Sequence, residues 1–147
     1  MKFKTIWIAV ADGARARFFR SNAGGTRIEP ALDVELVADR RPSREMVTDK
    51  PGRTRDRAAF GRHAMEPSTD PHVHEQQAFA LKVAELLDEH RKKNAFDELI
   101  VVAPPKMLGY LREAMSEPLR RMVRREEPKD LTKLDPNTLP RRLAALV

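Results

Sequence analysis

The residues of this chain best suited to chemistry are arginines. Arg40, Arg41, Arg44, Lys50, Arg53, Arg55, Arg57 and Arg62 crowd one stretch, opposed between residues 39 and 62 only by Asp39, Glu45, Asp49 and Asp56. Guanidinium forks match phosphate oxygens, and a flexible arginine-rich segment can order itself on RNA. Phe60 is the one aromatic side chain there available for base stacking. The expected contact is therefore with phosphates, with no DNA sequence specificity. The plainer readings are a solvated loop kept soluble by its charges, or a contact with a protein partner or a second copy.

His63, His72 and His74 with Glu75 raise the question of a metal. Zinc needs three or four convergent ligands, and positions two apart on a helix point in different directions. The positive end of a helix dipole also disfavours an imidazolium. No metal site is expected, and His74 and Glu75 read as helix-start residues that bond the adjoining loop. Ser21, Ser43, Ser68 and Ser116 sit in turn-like contexts, and none lies in a Gly-x-Ser-x-Gly elbow. Asp12 is accounted for by an Asp-Gly turn, and Gly24-Gly25 leads into a strand, unlike a phosphate-binding loop. With no cysteine, thiolate ligands and nucleophiles are absent. No complete catalytic constellation and no cofactor site are expected.

These residues are carried by a recognisable order of elements. Thr5 to Ala11 is an apolar strand, Asp12-Gly13 a two-residue turn, and Ala14 to Arg20 an alternating second strand. A turn over Ser21 to Gly25 follows. A third strand is expected where Leu32, Val34 and Leu36 alternate with Asp33 and Glu35, with Pro30 early in it marking an edge or a bulge. From Asp39 to Pro71 periodicity vanishes, leaving a long basic loop at about 39–70. Asp70-Pro71 opens a helix whose Phe79, Ala80, Val83, Ala84, Leu86, Leu87 and His90 share a face, and which stops near Lys93-Asn94. Leu99 to Ala103 reads as the central strand, covered on both faces. Pro104-Pro105 ends it, and Met107, Leu108, Leu111 and Met115 mark a second helix. The stretch Leu119 to Lys129 admits helix or strand. A strand is favoured because Pro118 interrupts the preceding helix, and a last helix starts near Leu139.

The sum is a single α/β domain over residues 1–147, in the order β-β-β-α-β-α-β-α. It has a mixed five-stranded sheet with helices packed on its faces. The net charge of +6 favours anionic partners. Met1-Lys2-Phe3-Lys4 and the short apolar run after it lack the flanks of a signal peptide. No stretch approaches the roughly 20 apolar residues of a spanning helix. A cytoplasmic protein without a membrane span is expected.

Several segments, taken together, resemble a known family. They are Trp7 to Arg17, His74-Glu75 leading into Phe79-Ala80, Leu99 to Pro105, Leu108-Gly109-Tyr110-Leu111-Arg112, and Lys129-Asp130-Leu131-Thr132. In this order and spacing they resemble the bacterial host-attachment proteins, described as required for attachment to host cells. That family is similar to the middle domain of archaeal and eukaryotic peptide-chain release factors. There, an opening hairpin and third strand lead to a long exposed loop bearing Gly-Gly-Gln. Here Gly52 and Gly61 stand alone in that loop, and Gly24-Gly25 is followed by Thr26 in another turn. The resemblance thus implies the fold without peptide release. It leads to a non-catalytic domain that contacts RNA or the ribosome through Arg40, Arg41, Arg44, Arg53, Arg55, Arg57 and Arg62. The alternatives are a homo-oligomeric interaction module and a hydrolase with a site near His63, His74 or Glu75.

Overall fold

The structure, a computed structural model, describes residues 4–22, 27–38 and 70–147. Its strands are β1 (Ile6–Ala11), β2 (Arg15–Asn22), β3 (Arg27–Pro30), β4 (Leu36–Val37), β5 (Glu98–Val102) and β6 (Val123–Glu127). Its helices are α1 (Pro71–Lys92), α2 (Pro105–Ala114), α3 (Glu117–Met122) and α4 (Leu139–Ala144). One mixed sheet runs in the order β3-β2-β1-β5-β6, and β4 pairs with β2 beside β3. β1 is antiparallel to β2 and parallel to β5, and β5 is parallel to β6.

β1 is buried along all six residues. Its odd positions Trp7, Ala9 and Ala11 join Phe18, Leu99 and Val101 under α1, α2 and α3. Its even positions Ile6, Ile8 and Val10 join Phe19, Ile100 and Val102 under Leu139 and Leu143 of α4. A strand with apolar side chains on both faces must lie inside a sheet covered on both sides. Three layers result, with α1–α3 on one face and the C-terminal segment on the other. Trp7 sits at the base of the larger core, its ring 5.1 Å from those of His90 and Phe96.

Asp70 caps α1 by accepting from the His72 N–H, and Pro71 occupies the first turn, as the sequence predicts. The helix ends at Lys92, and Asn94 takes the left-handed conformation at φ 61°.

Several sequence expectations are corrected. The sheet has six strands where five were expected, because the third strand divides. Residues 31–34 form a bend between β3 and β4, and Val34, expected within that strand, is exposed. The Ala31 N–H still donates to the Phe18 carbonyl at 2.8 Å, after which the chain bends away from β2 and rejoins it at Leu36. Ser21 and Asn22 belong to β2 and not to a turn. The middle strand is β1, with β5 beside it. The expected final strand over Leu119 to Lys129 begins only at Val123. Ser116 accepts from the Leu119 N–H and Pro118 fits a first turn, so Glu117–Met122 forms a helix of its own. The hairpin's two loop residues are Gly13 and Ala14, since the Asp12 N–H already pairs with the Arg15 carbonyl.

Ile8 is fully buried in the middle strand. Ile8→Ala is expected to destabilise the fold by about 2–5 kcal/mol in urea denaturation. Val37→Ala, at an exposed edge position, should stay within about 0.5 kcal/mol of the parent.

Candidate functional site

The parallel strands β1, β5 and β6 all end on the same side of the sheet. Open α/β sheets commonly place ligand contacts outside the carboxyl ends of their strands. Here the chain after β1 makes the Asp12-Gly13-Ala14 turn, and the chain after β6 returns through Asp130 to Thr132. The Ala103 N–H donates to the Glu127 carbonyl at 3.1 Å, closing the ends of β5 and β6 together.

Asp12 organises this end. Its Oδ1 accepts the N–H groups of Ala14 at 2.8 Å and Arg15 at 2.9 Å, an Asx turn that shapes the hairpin loop. Its Oδ2 lies 2.9 Å from the Oγ1 of Thr132, 120 residues further along the chain. Asp130 Oδ1 lies 2.6 Å from the same hydroxyl and accepts the Thr132 N–H. Burial pushes the Asp12 carboxyl up. The two N–H donors, the Thr132 hydroxyl and the Arg15 charge outweigh it and hold the group below its ordinary value.

This arrangement is a clamp. Both Asp12 oxygens hold hydrogen-bond partners, and Thr132 is 3% exposed with its hydroxyl between two carboxylates, so it is not presented to a substrate. The clamp fastens the hairpin turn to the segment that carries α4. α1 approaches the same turn from the other face. A Cβ placed on Gly13 would lie 3.0–3.2 Å from Gln76, so glycine permits this close approach.

The clamp also locates the basic segment. The Ala38 N–H donates to the Ala14 carbonyl at 2.7 Å, fixing the chain beside the turn just before residue 39. Asp70 and Pro71 begin the helix whose Gln76 covers Gly13. Ala38 and Asp70, the described residues on either side of 39–69, therefore both lie at the carboxyl end of the sheet.

Arg40, Arg41, Arg44, Arg53, Arg55, Arg57 and Arg62, and also His63, lie outside the described residues. His74 and Glu75 occupy the first turns of α1. The exposed His72 lies 4.0 Å from Glu75 across one turn. Among the described residues, no group of three His, Asp or Glu side chains is placed to hold a metal ion. Sequence reasoning passed over Gln76 and met Asp130 and Thr132 only as part of the family-like segment Lys129 to Thr132, with no role at a site. The Asp-x-Thr spacing is a local turn signal, but nothing in the sequence reports a bond to Asp12 across 120 positions.

Thr132→Val should cost about 1–3 kcal/mol in urea denaturation, because a buried hydroxyl loses its hydrogen bonding to charged carboxylates. Thr132→Ser should retain most of that stability. Asp12 titrates lower in the folded than in the unfolded chain. Its contribution is full above the ordinary carboxylate value and is lost as pH falls through the folded value. The stability gap between the parent and Asp12→Asn should accordingly shrink between neutral pH and about pH 3. A gap constant over that range would contradict the assignment.

No curated protein matches the chain. The family model for proteins required for attachment to host cells matches residues 7–143, from β1 through α4 and so including both halves of the Asp12–Thr132 clamp. With nearly its whole length matched, the chain belongs to the family of proteins required for attachment to host cells.

Proposed function

We propose that this host-attachment family member is a non-catalytic, cytoplasmic binding domain. It contacts RNA, as free RNA or within the translation machinery, through its basic segment. The observation that supports this reading is that the two described flanks of 39–69 both lie at the carboxyl end of the sheet. The Ala38–Ala14 bond holds one flank and the Gln76–Gly13 contact the other. A segment anchored at both ends can present arginines to a polyanion while losing less chain entropy than a free tail.

The element order supports a domain akin to the release-factor middle domain, with an arginine-rich stretch in place of the Gly-Gly-Gln loop. The Asp12–Thr132 clamp serves binding by holding the platform and carries out no reaction itself. On this reading a part in attachment to a host is indirect, through regulation inside the cell.

Cosedimentation of the purified protein with ribosomes and with free RNA across a salt series tests the proposal. Binding should weaken steeply with salt. Arg53→Glu, Arg55→Glu and Arg57→Glu together should make the log–log salt slope shallower by about 2, as expected for three lost contacts with single-stranded phosphates. No binding at low salt, or binding indifferent to the three substitutions, would overturn it.

A further inference from the structure

Beyond the basic segment, the folded domain carries cations without an ion pair on both sides among the described residues, with Lys82 and Lys106 on the α1–α3 side and a larger group around α4. On the α1–α3 side, Arg91 pairs with Asp88, Lys93 with Glu89, Arg121 with Glu117, and Arg112 with Glu126. On the opposite side, Arg17, Lys133, Arg141 and Arg142 have no ion pair among the described residues. The two acidic residues nearest them in the C-terminal segment are engaged with backbone. Asp130 accepts the Thr132 N–H, and Asp135 accepts those of Asn137 and Thr138. Donation from those amides holds the Asp135 carboxyl below its ordinary value and keeps it occupied locally.

These cations share one surface. Leu139 and Leu143 bury α4 against Phe19, α4 lies against β3, and the Arg17 guanidinium carbon sits 5.7 Å from the centre of the Phe19 ring. Arg141 and Arg142 face solvent on the outer side of α4, as does Lys133 just before it.

We infer that this α4 surface is a second nucleic-acid contact, which binds the phosphodiester backbone of RNA. The inference rests on the RNA-binding reading of the basic segment and extends it to the folded domain. Guanidinium groups with no carboxylate partner can accept phosphate without first breaking an ion pair. A membrane surface fits less well. Amphipathic membrane contacts need apolar side chains to insert. Leu139, Leu143 and Leu146 are buried, and the exposed large apolar side chains among the described residues are Val34, Val37 and Leu81, none of them on α4.

Fluorescence anisotropy with a labelled single-stranded RNA of mixed sequence, over a salt series, tests the inference on the full chain. Arg141→Glu with Arg142→Glu should make the log–log salt slope shallower by about 1 to 1.5. Lys133→Glu should give a smaller change in the same direction, and it keeps the test open if the double variant folds poorly. Lys82→Glu with Lys106→Glu makes the same charge change on the α1–α3 side and should leave the slope at the parent value.

RNA binding that depends on Arg53, Arg55 and Arg57 but not on Arg141 and Arg142 overturns this inference alone. Absence of RNA binding by the parent overturns it together with the proposed function. An equal loss in the Lys82/Lys106 control reduces the effect to net charge and also overturns it. So does a charge-dependent affinity for phosphatidylglycerol vesicles that exceeds the affinity for RNA.

Discussion

The structure depends on burying β1 from both sides. Its six residues are apolar in an unbroken run, so neither face can meet water without a large loss of hydrophobic free energy. The face carrying Trp7, Ala9 and Ala11 is satisfied by the long amphipathic α1 with α2 and α3. Among the described residues, no helix between β1 and β6 covers the face carrying Ile6, Ile8 and Val10. The chain must return after β6, and Leu131, Leu139, Leu143 and Leu146 supply that cover. The C-terminal segment is for this reason part of the core and not an appendage.

The polar clamp follows from this constraint. A segment returning across the sheet must pass the carboxyl ends of β1, β5 and β6, where backbone groups are no longer paired within the ladder. Asp12 and Thr132 meet there, and the buried hydroxyl, already beside Asp130, gains a second carboxylate partner. The hydrogen bond joins the first hairpin to the last segment, and the flanks of the basic stretch are fixed to the same hairpin. Fold closure and the rooting of the arginine-rich segment thus share one anchoring point.

Much of this architecture is legible in the sequence because it is local. Asp70-Pro71 announces α1, the apolar spacing of Phe79 to Leu87 gives its buried face, and Leu99 to Val102 reads as a covered strand. The failures come where local signals compete. Pro118 ends one helix and starts another, which hid α3. The alternation from Leu32 to Leu36 imitates a strand although the chain bends over residues 31–34. The clamp could not be read at all, since each of its carboxylates is explained by its own turn. Their meeting at Thr132 exists only once the sheet is assembled. The arginine-rich stretch stands out by composition, whereas the grouping of Arg17, Arg141 and Arg142 around α4 exists only once the chain has folded.

With RNA bound as proposed, the two faces of the domain are unequal toward an anionic partner. Ultraviolet crosslinking of RNA to the full chain, followed by peptide mapping, measures this most directly. The account predicts crosslinked peptides within residues 39–69 and around Lys133 to Arg142, with α1 and α2 unmodified. Crosslinks centred on the outer surface of α1 and α2, or none on any peptide at low salt, would contradict it.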